Sequence, residues 1–407
     1  MDSDSDLNAT KTNTSVSRYL PGNTLLPAEE KIQCTMNSLQ TADKPSIILA
    51  SNDVNDDSLF LNGLTQNILI LYQLFEAIGF KCYLLQNSQS TTNRKAFLST
   101  YRYVNTHTII HQNMSIKVFI EIGMSIDPVT RGYLRTTGCK IVKLYLGNIL
   151  NIDIETIQHY PSMFFNHHLV GEIDEIWTSP HYYMHMDYAS VINRIPMNKG
   201  LVVPYVWDPC FITKYGSRDT FEWIPPASWT TMDIVIMDPN ISFQKCTFYS
   251  LLLAEAFARK HPEWKGKVQI INGDRLKISG NTNNKFLPAL TLYQTNRVVL
   301  HGRKKIHAIL EDHASSCFIT HQWNNDYNYM ALELFYCNYP LLHNSEGWDQ
   351  FGYYYSINRW DAAIDTLHRA LKDHQENLNI YKTHAANLIW KHSVNNPAIQ
   401  ERWRLLV

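Results

Sequence analysis

The chain has 407 residues, too many for one ordinary hydrophobic core and about right for two or three domains. With 45% hydrophobic and 18% charged residues its composition is globular, which argues against a disordered or fibrous protein. A net charge of −1 implies no global electrostatic pull towards nucleic acid or an anionic membrane. The seven cysteines are scattered without a C-x-x-C pair, and several lie in apolar runs such as FKCYLL and SSCFIT. Buried free thiols in a reducing compartment explain that pattern better than a disulfide framework. No run approaches the ~20 apolar residues of a membrane span, and the N-terminus MDSDSDLNATKTNTS has no apolar signal segment. A soluble, cytoplasmic protein is expected.

Residues 1–43 are rich in Ser, Thr, Asn and Asp and read as a flexible extension. Order is expected from the strand SIILA at Ser46, followed by a helix with its apolar stripe at Leu64, Ile68, Leu71, Phe75 and Ile78 and Gly79 at its end. The strand FKCYLL completes a strand–helix–strand unit, which predicts parallel strands and a right-handed crossover. The alternation continues through KVFIEIG, a helix with Pro128 in its first turn, KIVKLYLG, a short helix, IDEIWTS, a helix near Tyr182 to Asn193, and the strand LVVPYVW. Prolines 209, 225 and 226 interrupt it. A second alternating set then runs from MDIVIMD through a helix near Lys245 to Lys260, the strands KVQIING and RVVLHG, the helix KKIHAILEDH and the strand SCFITH. Asn358 and Asp361 have capping-box spacing before the stripe Trp360, Ile364, Leu367 and Leu371.

These elements predict an α/β protein with two parallel-sheet, Rossmann-like domains facing across a cleft. The expected boundaries are 44–208, a linker 209–230, a second domain 231–385 and a C-terminal helix 386–407.

Between SCFITH and the capped helix lies the most informative stretch, THQWNNDYNYMALELFYCNYPLLHNSEGWDQFGYYY. Its helix, about Asn328 to Cys337, is apolar almost all round yet carries Glu333. A carboxylate there either accepts bonds from nearby protein groups or faces a cleft where a ligand's hydroxyls serve. Polar residues mark four strand ends: Asp238-Pro-Asn240 with Lys245, His301-Gly302-Arg303, His321 to Asn325, and Asn344 to Gly347 with Ser345. The strand-end rule puts all four on one rim. Lys245, Arg303 and the helix start at Asn328 and Tyr329 together suit a pyrophosphate, although each cation alone reads equally as a solvated surface charge. In the first half, Asn62-Gly63 and Glu121-Ile-Gly123 should face the same cleft, or the glycines simply permit tight turns. Neither G-x-G-x-x-G nor G-x-x-x-x-G-K-[ST] occurs, against a dinucleotide dehydrogenase or P-loop enzyme. His167-His168 and His181…His185 lack the carboxylate that a metal site would need, and chance spacing explains them.

The stretches LFLNGLTQN, FIEIG, VVPYVWDPCFI, MDPNISFQK, THQWNNDYNYMALE and FGYYY, in this order, resemble the GT-B glycosyltransferases. The closer resemblance is to a branch found in bacteria and large DNA viruses that carries only a domain-of-unknown-function label. For a viral chain the compartment would be the host cytoplasm. The resemblance implies a nucleotide-sugar donor on the second domain, a glycan or other hydroxyl acceptor on the first, and a C-terminal helix that crosses back onto the first domain. Lys245 matches the lysine that contacts the donor diphosphate, but Asn240 stands where an arginine is frequent. Glu333 matches the ribose ligand of retaining members, but the first acid of their pair, separated from it by seven residues, is replaced by Asn325. Donor binding is thus expected at Asn240, Lys245, Arg303, His321, Asn325, Asn328, Tyr329, Glu333 and Ser345. The acceptor side is expected at Asn62 and Gly63, with Glu121 the candidate catalytic base. No metal or other cofactor is expected, and no nucleic-acid partner. A nucleotide-sugar epimerase on the same fold and a non-catalytic glycan-binding protein are the alternatives.

Overall fold

Two parallel sheets dominate the computed structural model, which describes residues 44–407 apart from 52–53, 56–57, 61–62, 88–97, 160–169 and 215–219. The N-terminal extension, Asn62 and His167-His168 lie outside the described residues.

The first sheet holds β1 (Ser46–Ala50), β2 (Lys81–Leu85), β3 (Tyr103–Val104), β4 (Ile116–Ile122), β5 (Lys140–Tyr145), β6 (Glu175–Thr178) and β7 (Gly200–Val202) in the order β3-β2-β1-β4-β5-β6-β7. Its helices are α1 (Gly63–Ala77), α2 (Thr106–His111), α3 (Pro128–Thr136), α4 (Ile149–His159) and α5 (Met186–Ile192), and α6 (Cys210–Thr213) follows. The second sheet holds β8 (Ile234–Ile236), β9 (Val268–Ile270), β10 (Val298–Leu300), β11 (Cys317–Ile319), β12 (Leu341–His343) and β13 (Tyr353–Tyr354) in the order β10-β9-β8-β11-β12-β13. With it go α7 (Phe248–Lys260), α8 (Thr291–Gln294), α9 (Ile306–Asp312), α10 (Tyr329–Tyr336) and α11 (Trp360–Lys372). The chain closes with α12 (Leu378–His392) and α13 (Pro397–Leu406). Both orders are doubly wound, with the switch between β1 and β4 in one sheet and between β8 and β11 in the other.

Local chemistry accounts for these elements. The strands are buried on both faces, so they read as apolar runs rather than alternating ones. In β1, Ile47 and Leu49 join one core while Ile48 and Ala50 join the core on the opposite face. Pro128 occupies the first turn of α3, where its missing N–H costs nothing, and the Asp127 carboxylate accepts from Thr130 N at 2.9 Å. Gly79 takes a φ of +99° just past α1, a conformation that a side chain would resist.

Three local expectations differ from the structure. The strand read in LVVPYVW pairs only over β7, because Pro204 has no N–H to continue a ladder and the chain leaves the sheet there. The N-cap of α11 is Arg359 rather than Asn358, without a side-chain cap bond, so Asp361 falls one residue short of its capping-box position. The terminal helix is two helices broken at Ser393, which is extended, with Pro397 starting the second. α13 does cross back onto the first domain: Trp403 meets Phe75 and Trp177 edge-on at 5.5 and 5.7 Å, and the Lys140 ammonium donates to the Leu406 carbonyl at 2.9 Å.

Candidate functional site

A cavity of about 480 Å³ opens between the sheets. Its wall is built from segments that leave the carboxyl ends of strands on both sides, where doubly wound sheets bind ligands. Phe60 and Gly63 follow β1, Gly123 follows β4, Gly147 follows β5 and Tyr182 follows β6. Opposite them stand Asp238 and Lys245 after β8, Asn272 after β9, Arg303 after β10, and Gln322, Asn325, Asn328, Tyr329 and Glu333 after β11.

Two charged groups in this wall lack protein partners. Among the described residues the Lys245 ammonium makes no hydrogen bond or ion pair, although it is largely buried. Burial lowers its pKa, and the charge on Asp238 opposes that shift. The Glu333 carboxylate is 6% exposed and likewise makes no hydrogen bond or ion pair among the described residues. Burial alone pushes its pKa up to about 7. Of the two readings of Glu333 from sequence, the structure therefore gives the cleft-facing one. Near Lys245, Asp238 is held by Thr320 Oγ1 at 2.8 Å, Gln322 Nε2 at 2.7 Å and Ser250 Oγ at 3.4 Å. Burial raises its pKa to about 7 against the pull of those bonds and of Lys245. α10 is capped by Asn328, whose Oδ1 accepts from Ala331 N at 3.1 Å, which orients the amino end of the helix beside the cavity.

The expected residues divide. Lys245, Arg303, Asn325, Asn328, Tyr329, Glu333 and Gly63 line one cavity. Arg303 is exposed and donates to the Phe60 carbonyl at 3.3 Å, across the cleft. Asn325 lines the wall, but its side chain is engaged: Oδ1 accepts from the Tyr182 hydroxyl and Nδ2 donates to Gln322 Oε1 at 2.8 Å. The Tyr329 hydroxyl donates to Asn67 Oδ1, so it joins the domains.

Four expected residues stand outside the wall. Asn240 has a φ of +54°, which Asn tolerates better than most side chains. Its Oδ1 accepts from Thr247 N at 2.8 Å, and its own N–H donates to the Lys245 carbonyl at 3.1 Å. It shapes the loop that presents Lys245. His321 is fully buried, stacked on Tyr249 at 3.8 Å and bonded through Nδ1 to the Tyr355 hydroxyl, with burial driving its pKa down to about 4. Ser345 donates to the Asp326 carbonyl at 2.8 Å. The Glu346 and Gly347 amides bond the Asp326 carboxylate, so that turn's N–H groups are already engaged by protein.

Glu121 is the clearest correction. It is fully buried, does not line the cavity, and is held by Arg131 Nη2 at 2.7 Å, Lys143 Nζ at 3.5 Å and Ile126 N at 2.8 Å. Lys143 also donates to Ser125 Oγ at 2.6 Å. This is a clamp on the loop after β4 that sets Gly123 in the wall, and a carboxylate so engaged has no free lone pair aimed at an acceptor hydroxyl.

The sequence reading missed Asn67, Tyr182 and Gln322 as wall residues. Gln322 sat in a strand-end segment and was legible there. Asn67 ends the stretch LFLNGLTQN and Tyr182 follows His181, but nothing in either segment singled out these side chains.

Comparison with solved structures places this architecture among the GT-B glycosyltransferases. A glycosyltransferase from Rickettsia africae ESF-5 superposes with a TM-score of 0.53 at 12% identity, over 90% of this chain and 98% of that one. Sucrose-phosphate synthase from Thermosynechococcus elongatus gives 0.56 at 12% identity, over 89% and 98%. Anabaena Alr3699/HepE, solved with UDP and glucose, gives 0.54 at 9% identity, over 89% and 99%. At these identities the likeness is one of fold. No curated protein matches the sequence. The match that does cover the chain runs over residues 48–407, and by it the chain belongs to the family described as "Protein of unknown function (DUF2827)".

Proposed function

We propose that this protein is a glycosyltransferase that moves a sugar from a nucleotide-sugar donor on the second domain to a glycan or other hydroxyl acceptor on the first. The observation that carries the reading is the pair of unpartnered charges in one cavity, the Lys245 ammonium and the Glu333 carboxylate. A nucleoside diphosphate sugar answers both: its diphosphate satisfies the lysine and its ribose hydroxyls donate to the carboxylate. Lys245, Arg303 and the amino end of α10 would stabilise the charge that grows on the leaving diphosphate, so the reading assigns no metal to the transfer step. The overall fold it shares with a protein solved in complex with UDP and glucose adds support.

A thermal-shift panel of UDP, GDP, ADP and dTDP sugars tests it. One nucleotide should stabilise the protein, by about 2.7 kcal/mol at a hundred times its dissociation constant. If none raises the melting temperature, the donor assignment is wrong. Conversion of the donor without any acceptor would redirect the reading to an epimerase.

A further inference from the structure

His261, Glu263 and His368 form a cluster that the cavity does not use, since none of them lines it. His261 caps the carboxyl end of α7, Glu263 lies two residues on, and His368 stands on α11, which packs against α7. Each offers one ligand atom, and these atoms lie within 4.8 Å of one another. The imidazole rings stack with centroids 4.3 Å apart. Among the described residues the Nε2 atom of each ring is buried and has no hydrogen-bond partner, an expensive state for a polar atom. Glu263 Oε1 lies 3.0 Å from His261 Nδ1, which holds ring and carboxylate together.

Lys260, the residue before His261, is engaged by Asp365 at 2.7 Å. We propose that His261, Glu263 and His368 bind one divalent transition-metal ion of the zinc class, clasping α7 to α11. Imidazole with carboxylate is a donor set that such ions accept. Bond lengths of about 2.0–2.2 Å require the three ligand atoms to draw closer: the stacked imidazoles turn so that their in-plane lone pairs converge, and the half-exposed Glu263 side chain has room to follow. A water can complete the coordination. The site is independent of the donor cavity and does not enter the transfer step.

The test uses untagged full-length protein stripped with a chelator. Cobalt(II) titration is followed by visible absorption, and zinc is followed by melting temperature. One equivalent should bind and raise the melting temperature, and His261→Ala or His368→Ala should each weaken binding at least about tenfold. A rival exists in His107 and His111, stacked at 4.0 Å one turn apart on α2. Binding that survives the His261→Ala/His368→Ala double substitution, or that disappears with His107→Ala, overturns the proposal. So does the absence of stoichiometric binding in the wild type.

Discussion

The Tyr329 hydroxyl donates to Asn67 Oδ1 at 2.6 Å, joining the first turn of α10 to the second turn of α1, 262 residues apart in sequence. Asn67 is fixed in turn by its Nδ2 bond to the Gly63 carbonyl at 2.9 Å. The helix that carries Glu333 is therefore anchored to the opposite domain. Tyr329→Phe should cost about 1–3 kcal/mol, because it leaves a buried Asn67 oxygen unmet. Denaturant unfolding measures this, and a cost near zero would mean that the bond is not maintained in solution.

Lys245→Ala should have the opposite profile. Its ammonium has no hydrogen-bond or ion-pair partner among the described residues, so removing it relieves a partly buried charge and should leave stability equal or slightly higher. Transfer should fall about 10²–10³-fold if the lysine stabilises the leaving diphosphate. Near wild-type transfer by the folded variant would remove Lys245 from the site.

Glu333 makes stability depend on pH. Its pKa is raised from 4.5 to about 7 on folding, so the folded state keeps a proton that the unfolded chain loses. Its contribution to stability falls as pH rises from about 4.5 to about 7 and then levels off. The effect is up to about 3 kcal/mol. Asp238, also raised to about 7 by burial, has the same sign, so wild type falls through both groups. Glu333→Gln should retain only the Asp238 share, a shallower slope over the same window. Identical slopes in wild type and variant would show that folding does not raise the Glu333 pKa.

Glu121→Ala should behave as a core defect. It strands Arg131 and Lys143, which are 2% and 1% exposed, and should cost about 3–5 kcal/mol. The measurable sign is lower soluble yield and an earlier unfolding midpoint. Transfer lost from a fully folded, equally stable Glu121→Gln variant would instead restore a catalytic role.

The sequence by itself determined the two parallel-sheet, Rossmann-like domains, because helix period, apolar strand runs and stops such as Pro128 and Gly79 are local properties of the chain. It also singled out Lys245 and Glu333, which the structure brings to one cavity wall, since both sit where a strand end or an apolar helix makes a charge conspicuous. What a side chain meets across the fold was not local. Nothing within FIEIG shows that Arg131 and Lys143 converge on Glu121. Nothing near Asn325 shows that Tyr182 occupies its oxygen, or near Ser345 that Asp326 takes the amides of Glu346 and Gly347. Those pairings join residues brought together only by packing of helices and sheets. The tertiary structure therefore decided which polar groups are used within the protein and that two charges of the cavity wall, Lys245 and Glu333, have no hydrogen-bond or ion-pair partner among the described residues.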